Sequence, residues 1–281
     1  MQLIKLNATD STNNYLKQLV IEGALEDFCV VSANHQTNGR GQRGSTWLSD
    51  KGKNLTFSVL KKNIAIKPHE QFLLNILVSL SILKSLEAFN VPKLSIKWPN
   101  DILSDHCKIS GILIENVIKH QQIEYAVIGI GLNVNQVVFE GLTKVSSLKS
   151  ILPLAVNKDE LLAKIIDKLK MYFKLYSKNG SKPLNAEYES YLFRKDKPST
   201  FMNPDKSTFI GIIRGVSSSG KLALQMEDSN KEFDLKSKGL GLKIIHANIL
   251  KIVLSNNADV IVEILFRTHK NFLFVISDIF A

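Results

Sequence analysis

The chain has 281 residues, 44% of them hydrophobic and 22% charged, and carries a formal net charge of +10. That composition belongs to an ordinary soluble globular protein able to bury a sizeable core, and its two cysteines, Cys29 and Cys107, with no C-x-x-C pair, exclude a disulfide framework and a cysteine-based zinc site. The basic balance favours anionic partners (nucleic acid, nucleotide phosphates or an acidic protein) unless it is only the mark of a lysine-rich proteome.

In chain order, residues 3–6 are a short apolar run. DST at 10–12 then offers N-cap chemistry, and Tyr15, Leu16, Leu19 and Val20 follow at helical spacing, with Gly23 as a stop. The opening has no basic stretch followed by a long apolar one, so no secretory signal is expected, and a reduced, cytoplasmic setting is. Residues 28–33 form a β-branched run, a buried strand. The next segment, NGRGQRGSTW at 38–47, satisfies the dinucleotide pattern through Gly39, Gly41 and Gly44, and misses a phosphate-binding loop by one residue, since Ser45 stands where that loop has lysine. Both devices require the glycines to run directly into a helix, whose N-terminus carries the phosphates. Here a polar turn and another strand, LTFSVL at 55–60, follow instead, so neither pattern applies.

Residues 69–89 are apolar nearly all round, which predicts a buried helix. Its core, FLLNILVSLSIL at 72–83, is too short and too polar to span a bilayer. Residues 91–135 read as a meander of strands around Trp98-Pro99, with ILSDHC before Lys108 as a loop. Residues 159–177 predict an amphipathic helix with Leu161, Leu162, Ile165, Ile166, Leu169, Tyr172 and Phe173 on one face. A second helix is expected over 184–194. From about 200 the chain alternates in short strands joined by tight turns, which suits a small barrel. The tail from about 240, rich in Ile, Leu, Val and Phe, suggests no role. The domains expected are 1–198, 199–242 and an unassigned 243–281.

Five segments occur in order: DSTN at 10–13, QTNGRGQRGSTW at 36–47, KWPNDI at 97–102, KISGILIE at 108–115 and GIGLNVN at 129–135. Their order and spacing resemble the catalytic domain of the biotin–protein ligases over roughly residues 1–236. The resemblance implies an α/β (α+β) fold, a mixed and largely antiparallel central sheet with flanking helices, followed by a small SH3-like β-barrel. It also implies an enzyme that forms biotinyl-5′-AMP from biotin and ATP with Mg²⁺, then passes biotin to one lysine of a biotin carboxyl carrier domain of acetyl-CoA carboxylase or a related carboxylase. The DNA-binding domain that some members carry ahead of the catalytic domain is not expected, because DSTN starts at residue 10, and so neither DNA nor a membrane is expected as a partner. Members can pair edge to edge as homodimers, and no residue here decides that point.

Carried over residue by residue, the resemblance places biotin against Ser11, Thr12, Asn13, Gln36, Gly39, Arg40, Gly41, Gln42, Lys108, Gly111, Gly129 and Gly131. Ser11, Thr12 and Asn13 would meet the ureido group, although plain helix capping explains the same residue types. Gly111, Gly129 and Gly131 would let biotin approach the sheet. ATP would meet Arg40, Arg43, Trp47, Lys97, Asn100 and Asn133, with Trp47 either stacked on adenine or walling the pocket. Lys108 and Arg40 are the expected catalytic pair, stabilising charge on two mutually repelling anions. Asp101 either helps place Mg²⁺ or stabilises a turn. A lipoate–protein ligase would share the fold and the carrier chemistry but not GRGQRG and KWPND. A basic nucleic-acid-binding module is the alternative of another class, and RGVSSSGKLALQMED lacks the aromatic stacking pattern it would need.

Overall fold

Seven strands make one sheet in the order β1-β2-β3-β7-β6-β5-β4. The computed structural model describes residues 2–23, 25–202, 207–226 and 229–233. The elements are β1 (Leu3–Leu6), α1 (Thr12–Glu22), β2 (Val30–Ala33), β3 (Leu55–Lys62), α2 (Phe72–Ala88), β4 (Leu94–Lys97), β5 (Asp101–Ser104), β6 (Cys107–Lys119), β7 (Gln122–Leu132), α3 (Leu148–Ile151), α4 (Lys158–Asn179), α5 (Lys182–Ser190), β8 (Pro198–Met202), β9 (Thr208–Val216), β10 (Leu222–Gln225) and β11 (Asn230–Phe233). Only β1 and β2 run parallel; every other neighbouring pair in the large sheet is antiparallel. This is the mixed, largely antiparallel sheet with flanking helices that the motif order implies.

Strand alternation decides which helix meets which face. Ser58 and Leu60 of β3 face α1, where Leu60 joins Leu16, Cys29, Val31 and Val127 in a buried cluster. Lys61, one position on, points the other way, and its ammonium lies 5.3 Å from the ring centre of Phe173 on α4. So α1 covers one face and α4 the opposite one. The seven residues expected on the inner face of α4 are all buried. That helix starts where its sequence says it should: the Asn157 side chain accepts from the backbone N–H groups of Asp159 and Glu160. In α2 two of the three buried serines are reconciled with burial by local bonding, while the Ser79 hydroxyl has no partner among the described residues. Ser81 donates to Leu77 O at 2.6 Å and Ser85 to Ser81 O at 2.7 Å.

Three expectations change. ILSDHC is not a loop: Asp101–Ser104 is a strand paired on both sides, and only Asp105 and His106 turn before β6 begins. Ile102 and Leu103 are buried there, and two cross-strand ladders outweigh the weak propensity of so short a run. The second helix begins and ends earlier than expected, at Lys182–Ser190, with Pro183 in its first turn. The strands after 198 form a four-stranded sheet in the order β11-β10-β9-β8, and the described residues do not close it into the expected barrel. Two compact units are distinguished: the described residues up to Lys195 with Gly215–Leu222, and Asp196–Arg214 with the described residues from Ala223 on. The unassigned tail, 243–281, lies outside the described residues.

Candidate functional site

The start of α1, the 34–54 segment and the middle of β3, β6 and β7 meet on the α1 face of the sheet. Ser11, Thr12 and Asn13 are each 3% exposed. Ser11 stands at the N-cap position in extended backbone, yet its side chain makes no capping bond, so capping does not account for it. The backbone N–H and the hydroxyl of Thr12 both donate to Gln36 Oε1, at 2.8 and 3.0 Å. The Ser58 hydroxyl lies 2.7 Å from Thr12 Oγ1 and 2.6 Å from Asn13 Oδ1, and donates to one of them at a time. The Asn13 amide donates to Glu115 Oε2 at 2.7 Å and Leu113 O at 3.3 Å. This is a dense, buried set of short donors and acceptors.

The glycine-rich segment folds as a small hairpin and leads into no helix beyond a three-residue 3-10 turn at Gln42–Gly44. Trp47 N–H donates to Gly39 O at 2.9 Å, and Gly41 N–H to Ser45 O at 2.7 Å. The turn requires left-handed backbone at Arg43 (φ 56°) and Gly44 (φ 77°), which places Gln42 and Arg43 at its tip. Arg40 points inward: its Nη2 donates to Asn14 Oδ1 at 2.7 Å and to the Glu115 carboxylate at 3.1 and 3.2 Å, while its buried Nε has no partner. Trp47 lays its indole on the sheet, with its buried Nε1 also without a partner. The glycines make room for this. A Cβ at Gly131 would come within 2.6 Å of Trp47 Cζ2, one at Gly111 within 3.1 Å of Cζ3, and one at Gly129 within 3.0 Å of Asn13 Cγ. The close approach expected at these three glycines is therefore made by Trp47 and Asn13 of the protein itself.

Beyond Trp47 the site becomes basic. Lys108 Nζ lies 2.6 Å from Asp101 Oδ1 and 5.5 Å from the Trp47 ring centre. Burial pushes the Lys97 ammonium below the ordinary lysine range; Asp101 opposes that shift, while Lys108 and Lys144 add to it. Lys108 is thus paired with Asp101, and Lys97 lies within reach of the charges of Asp101, Lys108 and Lys144. Asn100 and Asn133 frame the cluster, but their amides are engaged by backbone: Asn100 Nδ2 donates to Ile112 O at 2.8 Å and Asn133 Nδ2 to Ser146 O at 3.1 Å.

Motif reading missed Ser58, Glu115, Asn14, Lys17 and Lys144. Glu115 had a signal: it shares strand parity with Gly111 and is an acid closing an otherwise apolar run. Burial drives its carboxyl pKa up, but hydrogen bonds from Asn13 and Lys17 and the charges of Lys17 and Arg40 outweigh burial, and the pKa is lowered.

A buried polar cluster and a group of cations flank a glycine-floored stretch of sheet covered by Trp47, an arrangement whose chemistry suits a ligand with one neutral polar end and one anionic end. Residues 6–133 match the model of the biotin/lipoate A/B protein ligase family. The bifunctional ligase/repressor BirA of Salmonella typhimurium is 29% identical over 228 residues, 79% of this chain and 69% of that one. The biotin–[acetyl-CoA-carboxylase] ligase of Mycobacterium tuberculosis is 27% identical, covering 80% of this chain and 84% of its own. The structure of the Aquifex aeolicus biotin protein ligase in complex with biotin and ATP superposes with a TM-score of 0.71 at 27% identity, over 87% of this chain and 99% of that one. In sequence and in fold the chain is similar to these biotin–protein ligases.

Proposed function

We propose that the protein is an ATP-dependent biotin–protein ligase, which activates biotin as biotinyl-5′-AMP and transfers it to a lysine of a biotin carboxyl carrier domain of acetyl-CoA carboxylase or a related carboxylase. One observation carries this reading: the Ser11-Thr12-Asn13-Gln36 cluster, its first three residues buried, and the Lys97 and Lys108 cations beside Asp101 lie at the two ends of one strip of sheet roofed by Trp47. Gly129 and Gly131, two residues apart and so roughly 7 Å along the strand, mark the passage from the polar end to the basic end. The relatives named above support the same chemistry.

In the first half-reaction a carboxylate oxygen of biotin attacks the α-phosphorus of ATP and pyrophosphate leaves. Both reactants are anions, so cations must offset their repulsion before bonding begins. Lys108 is set for the carboxylate, held in place by Asp101, and Arg40 approaches from the opposite side with its Nε uncommitted. Ser11, Thr12, Asn13 and Gln36 would hold the ureido end by hydrogen bonds, giving specificity against ligands that lack it. In the second half-reaction the carrier lysine amine attacks the acyl carbon and AMP leaves; the hairpin at 38–47 keeps water from the mixed anhydride until then. Mg²⁺ would arrive with ATP. Among the described residues no group of three or more His, Cys, Asp or Glu side chains gathers to hold an ion, and Asp101 is already taken by Lys108, so these residues do not fit a protein-held metal site and no step is assigned to the ion. Two free cysteines suit a reduced, cytoplasmic setting.

The test is exchange of labelled pyrophosphate into ATP with purified protein and Mg²⁺. Exchange should depend on biotin. Exchange that runs with lipoate and not with biotin would overturn the assignment.

A further inference from the structure

Glu115 joins Asn13 at the start of α1 to Arg40 of the 38–47 hairpin. Its Oε2 accepts from Asn13 Nδ2 at 2.7 Å and from Arg40 Nη2 at 3.1 Å; its Oε1 accepts from Lys17 Nζ at 3.0 Å and from the same Arg40 Nη2 at 3.2 Å. The side chain is 27% exposed, so its bonds to cations are less screened than a surface pair would be. By accepting from Asn13 and from Arg40 it fixes two orientations. The Asn13 amide nitrogen is held toward β6, which leaves Asn13 Oδ1 toward Ser58. The Arg40 guanidinium is held by one terminal nitrogen, with Nε buried and uncommitted. Arg40 belongs to the hairpin over the site, and Glu115 to β6, where it pairs with Val127 of β7. Asn14 Oδ1, 2.7 Å from the same Nη2, is the second anchor of that hairpin.

We infer that Glu115 is a positioning residue: it latches the 38–47 hairpin over the site through Arg40 and at the same time sets the Asn13 amide that faces the ligand's polar end. The inference rests on the proposed ligase reading. The latch retains the acyl-adenylate; it takes no part in bond making. Removing its charge therefore affects how long the intermediate stays bound more than how fast it forms.

The experiment uses the full chain. Wild type, Glu115→Gln and Asn14→Ala are loaded with biotin and MgATP, passed through a desalting column, and the loss of protein-bound biotinyl-adenylate is followed in time. Thermal unfolding and biotin titrations of pyrophosphate exchange run alongside. Glu115→Gln should release adenylate about tenfold faster or more, the scale set by losing a charge-assisted hydrogen bond, and raise the biotin KM more than it lowers kcat. Asn14→Ala leaves Asn13 alone, so it should speed release while raising the biotin KM less than Glu115→Gln does. Combining Glu115→Gln with Arg40→Ala should give less than the product of the two single effects, because both remove one contact. Wild-type release from a folded Glu115→Gln protein overturns the inference, as does multiplication of the two effects. If Glu115→Gln does not fold, wild-type release from Asn14→Ala overturns it. Absence of biotin-dependent exchange in the wild type would instead overturn the ligase reading itself.

Discussion

Replacing Gly129 with alanine tests whether the recognition cluster is as tightly determined as its geometry requires. A Cβ at 129 would stand 3.0 Å from Asn13 Cγ and 3.1 Å from Nδ2, and closer still to Oδ1, where unstrained contacts fall near 3.5–4.0 Å. Asn13 has nowhere to retreat, since Ser58, Leu113 O and Glu115 hold it on three sides. Either the extra methyl overpacks the site, costing about 1–3 kcal/mol, or Asn13 swings out and leaves buried partners unsatisfied, a cost of about 1–3 kcal/mol. Either route lowers stability by about 2 kcal/mol, which for a domain of this size lowers Tm by roughly 4–8 °C. The biotin KM should rise about tenfold or more, because Asn13 sits at the proposed ureido end. Thermal melts by circular dichroism and biotin titrations of pyrophosphate exchange read the two effects. Gly23→Ala is the control: nothing lies within 4 Å of its added Cβ, so its effect should stay within about 0.5 kcal/mol. A Gly129→Ala protein with wild-type Tm and wild-type biotin KM would show that the packing argument is wrong.

Lys108→Ala should lower the exchange rate by about a hundredfold or more, the usual scale for removing one charge-stabilising donor; full activity would remove Lys108 from the catalytic assignment. Lys97→Met should separate stability from activity. Because burial depresses the Lys97 pKa, the unfolded chain, with its value near 10.5, holds that proton more tightly than the folded one. The buried charge is therefore a cost at neutral pH, relieved only as pH rises through the folded pKa. The variant should melt higher than wild type at pH 7, by less in the alkaline range, and exchange pyrophosphate more slowly; an unchanged Tm would contradict the burial argument. For Glu115 the sign is opposite. Its lowered pKa contributes stability above the unfolded value near 4.5, lost as pH falls through the folded pKa. Glu115→Gln should melt below wild type at pH 7, with the gap closing in acid. A gap that persists at low pH would mean the carboxylate's charge was not its source.

Local rules reached far along this chain. The inner face of α4 was legible because seven apolar residues recur at helical spacing, and a helix places such residues on one side whatever it packs against. The sequence also ruled out two nucleotide-binding devices in NGRGQRGSTW, since a polar turn and a strand follow it where each device needs a helix N-terminus. It brought Ser11, Thr12, Asn13, Gln36, Arg40, Trp47 and Lys108 into consideration through short motifs that survive in one dimension. What it could not contain was which side chains share a space. Glu115 is more than seventy residues from Arg40 and about a hundred from Asn13, and only the β3-β7-β6 register lays it beneath both. Gly111 and Gly131 read from sequence as room for a ligand; the fold has them face each other across β6 and β7 and fills that room with Trp47. β5 was illegible for the same reason, because four residues become a strand only when two neighbours take up their hydrogen bonds. Periodicity and capping are properties of neighbours in the chain, and the amino-acid sequence determined those. Register and close approach are properties of neighbours in space, and only the tertiary structure decided them.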